Sequence, residues 1–363
     1  MKIGILTFHC AHNYGAVLQA YGLQEYLKSK GHEVHIIDYR PRYLTKVYHK
    51  SGIRCWISKS LVRTCKKLLN EPFLMKTRAK RWDNFDRFIN ERFNLAPFDE
   101  QGSDGYDAVI VGSDQIWNPR ITGGKFDKVF FGKGTAGRIL AYAASSRFKE
   151  LTDKERQFFQ ESLKGIDAIS VREDSLRHLL QPLTEKKIET AIDPTLLAGC
   201  SAFNPIACKP DTKRPYVFIY NIDPQETTHE MARRIAKQID GDVFELTASL
   251  ASHKQADGIK RVDDISPEQL LGYIRYATCV ITTSFHGTAL SLLFQRPFYA
   301  VRQKSNADLR VESLLEKIGL TDHFINKDER PDFLPIDYAT INERIEAERT
   351  VSKTFLLKGL TRT

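Results

Sequence analysis

The residues of this chain best suited to chemistry surround one histidine, His286. It lies within Cys279-Val280-Ile281-Thr282-Thr283-Ser284-Phe285-His286-Gly287-Thr288-Ala289-Leu290. The β-branched run predicts a buried strand, and Thr283 or Ser284 is suited to cap the helix that follows. His286 is then expected where a strand ends and a helix starts. In an open α/β sheet, ligands bind at that edge, beside backbone N–H groups that attract anions. A histidine placed there exchanges protons near neutral pH. The competing role is structural, a hydrogen bond to a loop carbonyl.

Four further constellations share this predicted position. Asn13-Tyr14-Gly15-Ala16 follows the first strand, and Gly15 lets a ligand or side chain approach the backbone closely. Gly112-Ser113-Asp114-Gln115 follows another buried run and is suited to sugar hydroxyls or a phosphate, or to an Asx-type turn. In Ser170-Val171-Arg172-Glu173 the guanidinium of Arg172 matches a carboxylate or phosphate, or else pairs with Glu173 or Asp174. Asp193-Pro194-Thr195 reads first as a hinge turn, with Asp193 as a base or an orienting group in second place. Arg302, Lys304 and Arg310, around the last strand, read as surface cations that can also charge a cleft. The set is rich in cations, His, Ser and Asn and poor in paired carboxylates. That argues against two-acid glycoside hydrolysis and for an anionic, phosphate-bearing substrate.

The elements that must position these residues alternate. Strands are predicted at 2–8, 34–39, 107–112, 139–144 and 168–171, and a helix at 16–30. In the second half, strands at 216–220, 242–246, 279–283 and 297–301 alternate with helices at 226–239, 267–276 and from His286 to Phe294. A helix is expected over 336–357. Residues 199–215 read as a linker. No GxGxxG follows the first strand, so a dinucleotide site is not expected. The expected architecture is α/β, with two doubly wound, Rossmann-like domains facing each other across a cleft. The expected boundaries are 1–200 on the acceptor side, with a basic helical insert at about 40–95; 201–340 on the donor side, with the His286 motif; and a helical tail over 341–363.

Composition sets outer bounds. The chain has 363 residues, 42% hydrophobic, and a formal charge of +9. Its apolar runs are too short to span a bilayer, and its start turns polar at His9, too early for a signal peptide, so a cytoplasmic location is expected. Six cysteines with no CxxC pair predict neither zinc nor disulfides. Cys10 reads mainly as a packing residue and secondarily as a nucleophile. From Arg40 to Arg92, fifteen Lys/Arg face four Asp/Glu, interleaved with apolar residues such as Trp56, Phe73, Trp82 and Phe85. This is the pattern of an amphipathic insert with a basic face, suited to anionic lipid or a phosphorylated substrate, or simply to solvent. No nucleic-acid module is recognisable.

Taken in order, Asn13-Tyr14-Gly15-Ala16 followed by Leu18-Gln19, the segment Val111 to Asn118, Ser170 to Glu173, Asp193 to Thr195, and Ser284 to Thr288 ahead of Pro297-Phe298 resemble the polysaccharide pyruvyl transferase family. The similarity covers about Lys2 to Leu320. It implies a two-domain fold like that of GT-B glycosyltransferases. It also implies transfer of a pyruvyl group from phosphoenolpyruvate onto a sugar of a capsular or exopolysaccharide precursor, as a ketal, with loss of phosphate. The expected catalytic residues are His286, matching the family's donor-site histidine, and Arg172, matching its anion-binding arginine. The expected substrate-binding residues are Asn13, Tyr14, Gly15, Ser113, Asp114, Gln115, Ser284, Gly287, Thr288 and Arg310. No metal and no cofactor beyond the donor is expected. The expected partners are phosphoenolpyruvate and a sugar or lipid-linked oligosaccharide, with peripheral contact to the inner membrane face. Two departures stand out. Ser284 occupies the position, two residues before the histidine, where the family carries an arginine. Ala144-Ser145-Ser146-Arg147-Phe148 stands where related chains read Ser-Phe-Gly, which makes Arg147 a candidate for the displaced cation. Two other functions compete: a nucleotide-sugar glycosyltransferase, with Glu312 to hold a ribose, and a non-catalytic partner in glycan assembly.

Overall fold

A computed structural model describes residues 1–45, 61–99, 105–135, 137–222, 225–248 and 256–361; side chains of residues 61–73 lie outside that description. Two parallel sheets organise the chain. The first contains β1 (Lys2–Leu6), β2 (Glu33–Asp38), β3 (Leu95–Pro97), β4 (Ala108–Asp114), β5 (Arg138–Ala144), β6 (Ala168–Val171) and β7 (Ile188–Thr190), in the order β3-β2-β1-β4-β5-β6-β7. The second contains β8 (Tyr216–Asn221), β9 (Asp242–Thr247), β10 (Lys260–Arg261), β11 (Cys279–Thr282), β12 (Phe298–Val301) and β13 (Phe324–Ile325), in the order β10-β9-β8-β11-β12-β13. Every neighbouring pair is parallel.

Both sheets therefore follow the Rossmann-like order. The strand sequence reverses between β1 and β4 in one and between β8 and β11 in the other, and ligands bind at such reversals. The strands form because helices cover both faces: β4 is buried at all seven positions, so its sequence reads as a continuous run rather than an alternation.

The helices are α1 (Tyr14–Ser29), α2 (Arg42–Thr45), α3 (Leu61–Arg92), α4 (Asp153–Ser162), α5 (Asp174–Leu180), α6 (Pro194–Ala198), α7 (Cys200–Phe203), α8 (Glu226–Gln238), α9 (Pro267–Arg275), α10 (Phe285–Leu293), α11 (Asp308–Ile318) and α12 (Tyr338–Leu360). Short helices α4, α5, α7 and α11 are not foreseen by the apolar pattern. The segment 199–215, expected to be linker, holds α7. One further difference bears on the site. α10 starts at Phe285, so His286 lies inside its first turn. Ser284 has the extended backbone of a cap but makes no side-chain cap bond, and Thr283 Oγ1 instead accepts from Ile222 N at 2.9 Å.

One apolar core joins the two sheets. Leu18, Tyr142, Leu196 and Phe203 belong to the same cluster as Phe218, Leu290, Ile345 and Phe355. An interface this apolar fixes the relative placement of the sheets far more firmly than a polar one. α12 contributes by returning to the first sheet. Phe355 meets the Tyr142 ring at 6.3 Å, and Gly359 packs so close to Leu140 that a Cβ would sit 2.4 Å from it. Ser352 Oγ accepts from the backbone N–H of Ile192 at 2.9 Å, beside Asp193.

The basic insert is also tied down. Residues 46–60 lie outside the described residues, but the second half of α3 crosses to the second sheet. Arg81 donates to the carbonyls of Asp263, Thr247 and Ala248, Lys80 pairs with Asp264 at 2.7 Å, and Arg92 lies 3.5 Å from Glu268. These cations bind the second domain, which corrects the expectation that they are simply solvated. No helix among the described residues is long and apolar enough to cross a membrane.

Ser352→Ala leaves the buried Ile192 N–H without a partner. The expected loss is about 1–3 kcal/mol of stability in a denaturant titration; an unchanged midpoint would contradict this role for α12.

Candidate active site

Arg172 follows β6 directly and is 6% exposed. Three carboxylates surround it. Nη1 donates to Asp193 Oδ2 at 2.6 Å, Nε lies 3.3 Å from Glu173 Oε1, and Nη2 lies 3.9 Å from Asp114 Oδ1. Burial alone would lower the pKa of the guanidinium, but Glu173, Asp193 and Asp114 outweigh it and raise the value. The expected partner Glu173 is therefore present, and Asp193 is the closer one.

Asp193 joins Arg172 to His286. Its Oδ2 is 3.6 Å from His286 Nε2, an ion-pair separation longer than a direct hydrogen bond. Its Oδ1 accepts from Thr195 N at 3.0 Å and Thr195 Oγ1 at 2.8 Å, which caps α6 and fixes the carboxylate. Burial would raise the Asp193 carboxyl, but His286, Arg172 and the Thr195 N–H prevail and hold it well below the usual carboxylate range. The hinge turn expected at Asp193 is thus an orienting carboxylate, buried at 1% exposure.

Gly15 touches the other side of the imidazole. A Cβ built on Gly15 would lie 1.9 Å from His286 Nδ1. The first turn of α1, from the first domain, therefore packs directly on the histidine of the second. Only glycine permits this approach. Tyr14, one residue earlier, is buried and donates to the carbonyl of Ile265 at 2.7 Å, pinning the same turn across the domain boundary. Asn13 accepts from Ala16 N at 3.2 Å as the α1 cap.

The remaining expected residues divide by accessibility. Asp114 joins the cluster through Arg172, in a left-handed backbone (φ 70°) that is uncommon for a residue with a side chain. Ser113 is fully buried. Its Oγ donates to Ala143 O at 2.9 Å, and its carbonyl accepts from Thr7 Oγ1, which in turn accepts from Gln19 Nε2. Gln115 Oε1 accepts from Asn118 Nδ2 at 3.0 Å. Thr288 is fully buried and donates to Ser284 O. A Cβ on Gly287 would strike Thr282 Oγ1 at 2.2 Å. Ser113, Gln115, Gly287 and Thr288 thus shape the loops, their side chains or close contacts already engaged within the fold. Ser284 is buried near Tyr220, whose phenol is pushed up by burial while the Ser284 side chain opposes the shift.

Arg310, expected among the substrate-binding residues and otherwise read as a surface cation, lies inside the fold. It is 6% exposed, and its Cζ lies 5.7 Å from the Phe285 ring, whose centroid is 4.4 Å from Arg172 Cζ. Phe285 is a site residue that the sequence left unassigned, and Asp193 is one that reads in the sequence first as a hinge turn. Arg302, by contrast, pairs with Glu312 at 3.0 Å over Phe324, so Glu312 is not free for a ribose, and Lys304 is exposed. Burial pushes the Cys10 thiol up to about 11, which favours packing over nucleophilic work. Among the described residues, no group of three His, Cys, Asp or Glu side chains could hold a metal ion.

A model of the polysaccharide pyruvyl transferase family matches residues 13–305, from the α1 cap to just past β12. The chain belongs to this family. That membership makes the chain a transferase acting in polysaccharide biosynthesis. Arg310 and α12 lie outside the matched residues. No curated protein matches the sequence. Solved structures similar to this chain include the UDP-GlcNAc 2-epimerase of Methanocaldococcus jannaschii, at 11% identity and TM-score 0.48, covering 95% of this chain and 92% of that one. Others are the UDP-N-acetylglucosamine 2-epimerase of Rickettsia bellii (11%, TM-score 0.43, 99% and 97% covered) and a glycosyltransferase of Streptomyces nogalater (12%, TM-score 0.39, 98% and 96% covered).

Gly15→Ala is expected to displace the His286 ring while keeping α1 folded, since alanine favours helix. A shift near 1 Å predicts a loss of roughly 100-fold in transferase turnover with secondary structure intact by circular dichroism. Retention of full turnover would show that this contact does not position the imidazole.

Proposed function

We propose that this protein transfers the pyruvyl group of phosphoenolpyruvate to two hydroxyls of a sugar, forming a ketal and releasing phosphate. The observation that carries the proposal is the buried chain Arg172–Asp193–His286, closed on its far side by Gly15. A small polyanion needs a guanidinium, and its methylene carbon needs a proton.

In this reading, Arg172 binds the donor anion and Asp193 keeps His286 oriented. His286 delivers a proton to the methylene carbon. The adjoining carbon becomes oxocarbenium-like, and the first sugar hydroxyl attacks it and loses its own proton. The second hydroxyl then replaces phosphate, which leaves with its bonding electron pair and takes up the proton that this hydroxyl gives up. The ketal carbon keeps the new methyl and the carboxylate. Asp193, held ionised, stabilises the charged imidazole before the transfer. The loops after β1 and β4 face the sugar.

The acceptor is proposed to be a capsular or exopolysaccharide precursor carried on lipid, which brings the enzyme to the inner membrane face. The basic residues before α3 would serve that contact.

The test supplies purified protein with phosphoenolpyruvate and a panel of galactose-, glucose- and mannose-type acceptors, read by mass spectrometry and phosphate release. We expect a pyruvylated product and acceptor-dependent phosphate. His286→Asn should lower the rate about 100- to 10,000-fold while leaving donor binding within tenfold. Phosphate release unaffected by His286→Asn would remove the histidine from the chemistry, and the absence of pyruvylated product with every acceptor would contradict the proposal.

A further inference from the structure

Arg310 is a buried cation without a partner. It sits in the first turns of α11, is 6% exposed, and makes no hydrogen bond or ion pair among the described residues. Its Nε is sealed from solvent and unsatisfied. The three carboxylates nearby, Asp114, Glu173 and Asp193, all lie within ion-pair distance of Arg172 and none within that distance of Arg310. Arg147 is half-buried beside it, its Nε likewise unsatisfied, and its carbonyl accepts from Asn306 Nδ2 at 3.0 Å, just ahead of α11. Burial, then Arg172 and Arg147, push the Arg310 guanidinium down to about 9, although Glu173 and Asp114 oppose them. A charge this uncompensated is costly to bury, and a fold retains it where an anion will balance it.

We propose that Arg310, with Arg147 beside it, forms a subsite for a phosphate monoester dianion. The subsite rests on the donor reading above and divides it. Arg172 and His286 address the carbon skeleton of the donor, and the Arg147–Arg310 pair takes its phosphate. A planar guanidinium matches two phosphate oxygens at once, and two of them match a dianion. Phe285, between Arg172 and Arg310, presents an aromatic face to both cations. The subsite also answers the missing arginine at 284, because it brings a cation from α11 rather than from the turn before the histidine.

α11 itself is latched onto the first domain. Lys317 Nζ donates to Thr190 Oγ1 at 2.9 Å and lies 3.3 Å from Asp174 Oδ2 and 3.4 Å from Glu348 Oε2. The helix thereby holds Arg310 over the end of β6.

The test measures melting temperature with inorganic phosphate, phosphoenolpyruvate and pyruvate, for wild type, Arg310→Met and Arg310→Lys, together with KM for the donor. Wild type should gain roughly 2–5 °C at a hundredfold excess over Kd with phosphate and with phosphoenolpyruvate, and nothing comparable with pyruvate. Without anion, Arg310→Met should melt at or above wild type, because a buried unpaired charge is gone, and it should lose the phosphate response. Arg310→Lys keeps the charge but loses the fork. It should retain a reduced response and raise the donor KM at least about tenfold. A phosphate response undiminished in both variants, an equal response to pyruvate, or no response in wild type would overturn the subsite. Pyruvyl transfer with donor KM unchanged in both variants would leave the proposed function standing and the subsite refuted. A phosphate response that depends on Arg310 in a protein that pyruvylates no acceptor would do the reverse.

Discussion

The site depends on the burial of Arg172 where the two sheets meet. Removing a guanidinium from water costs several kcal/mol unless opposite charges surround it. Three carboxylates do so, contributed by β4, by the residue after Arg172 and by the turn before α6. Asp193 has no other position available, because Thr195 holds its second oxygen. That fixed carboxylate in turn sets the environment of His286, which arrives from the other domain. A single ion pair thus ties the first domain to the histidine of the second.

The rest of the architecture keeps this contact in register. α1 approaches the imidazole through Gly15, Tyr14 reaches the Ile265 carbonyl, and α3 uses Arg81 to bind three carbonyls of the second domain. α12 returns to brace the strand end at Ile192. These tethers connect the sheets around a common apolar core. A carbon protonation such as the one proposed here benefits from a site shielded from water, and two sheets held this closely are suited to provide it.

Much of the fold is legible in the sequence because its strands are buried on both faces and read as apolar runs. The positions of Arg172 and His286 are legible for the same reason, since each follows such a run. Asp193 is not, because a carboxylate before Pro194 looks like a turn until Arg172, 21 residues away, is seen beside it. The burial of Arg310 is hidden differently. The residue lies in an amphipathic helix, where an arginine ordinarily faces solvent, and only the docking of α11 onto the first domain buries it. Ser113 and Thr288 show what else polar loop residues do. Polar residues in loops suggest ligand contacts, but here the close packing of β4 against β5 and of α10's first turn consumes their hydrogen bonds.

The most direct measurement is a crystal structure of the protein with phosphoenolpyruvate bound. The account predicts the donor between Arg172 and Arg310, its methylene carbon within reach of the His286 ring and its phosphate against α11. A donor seated away from both arginines, or with its methylene carbon turned from His286, would contradict it.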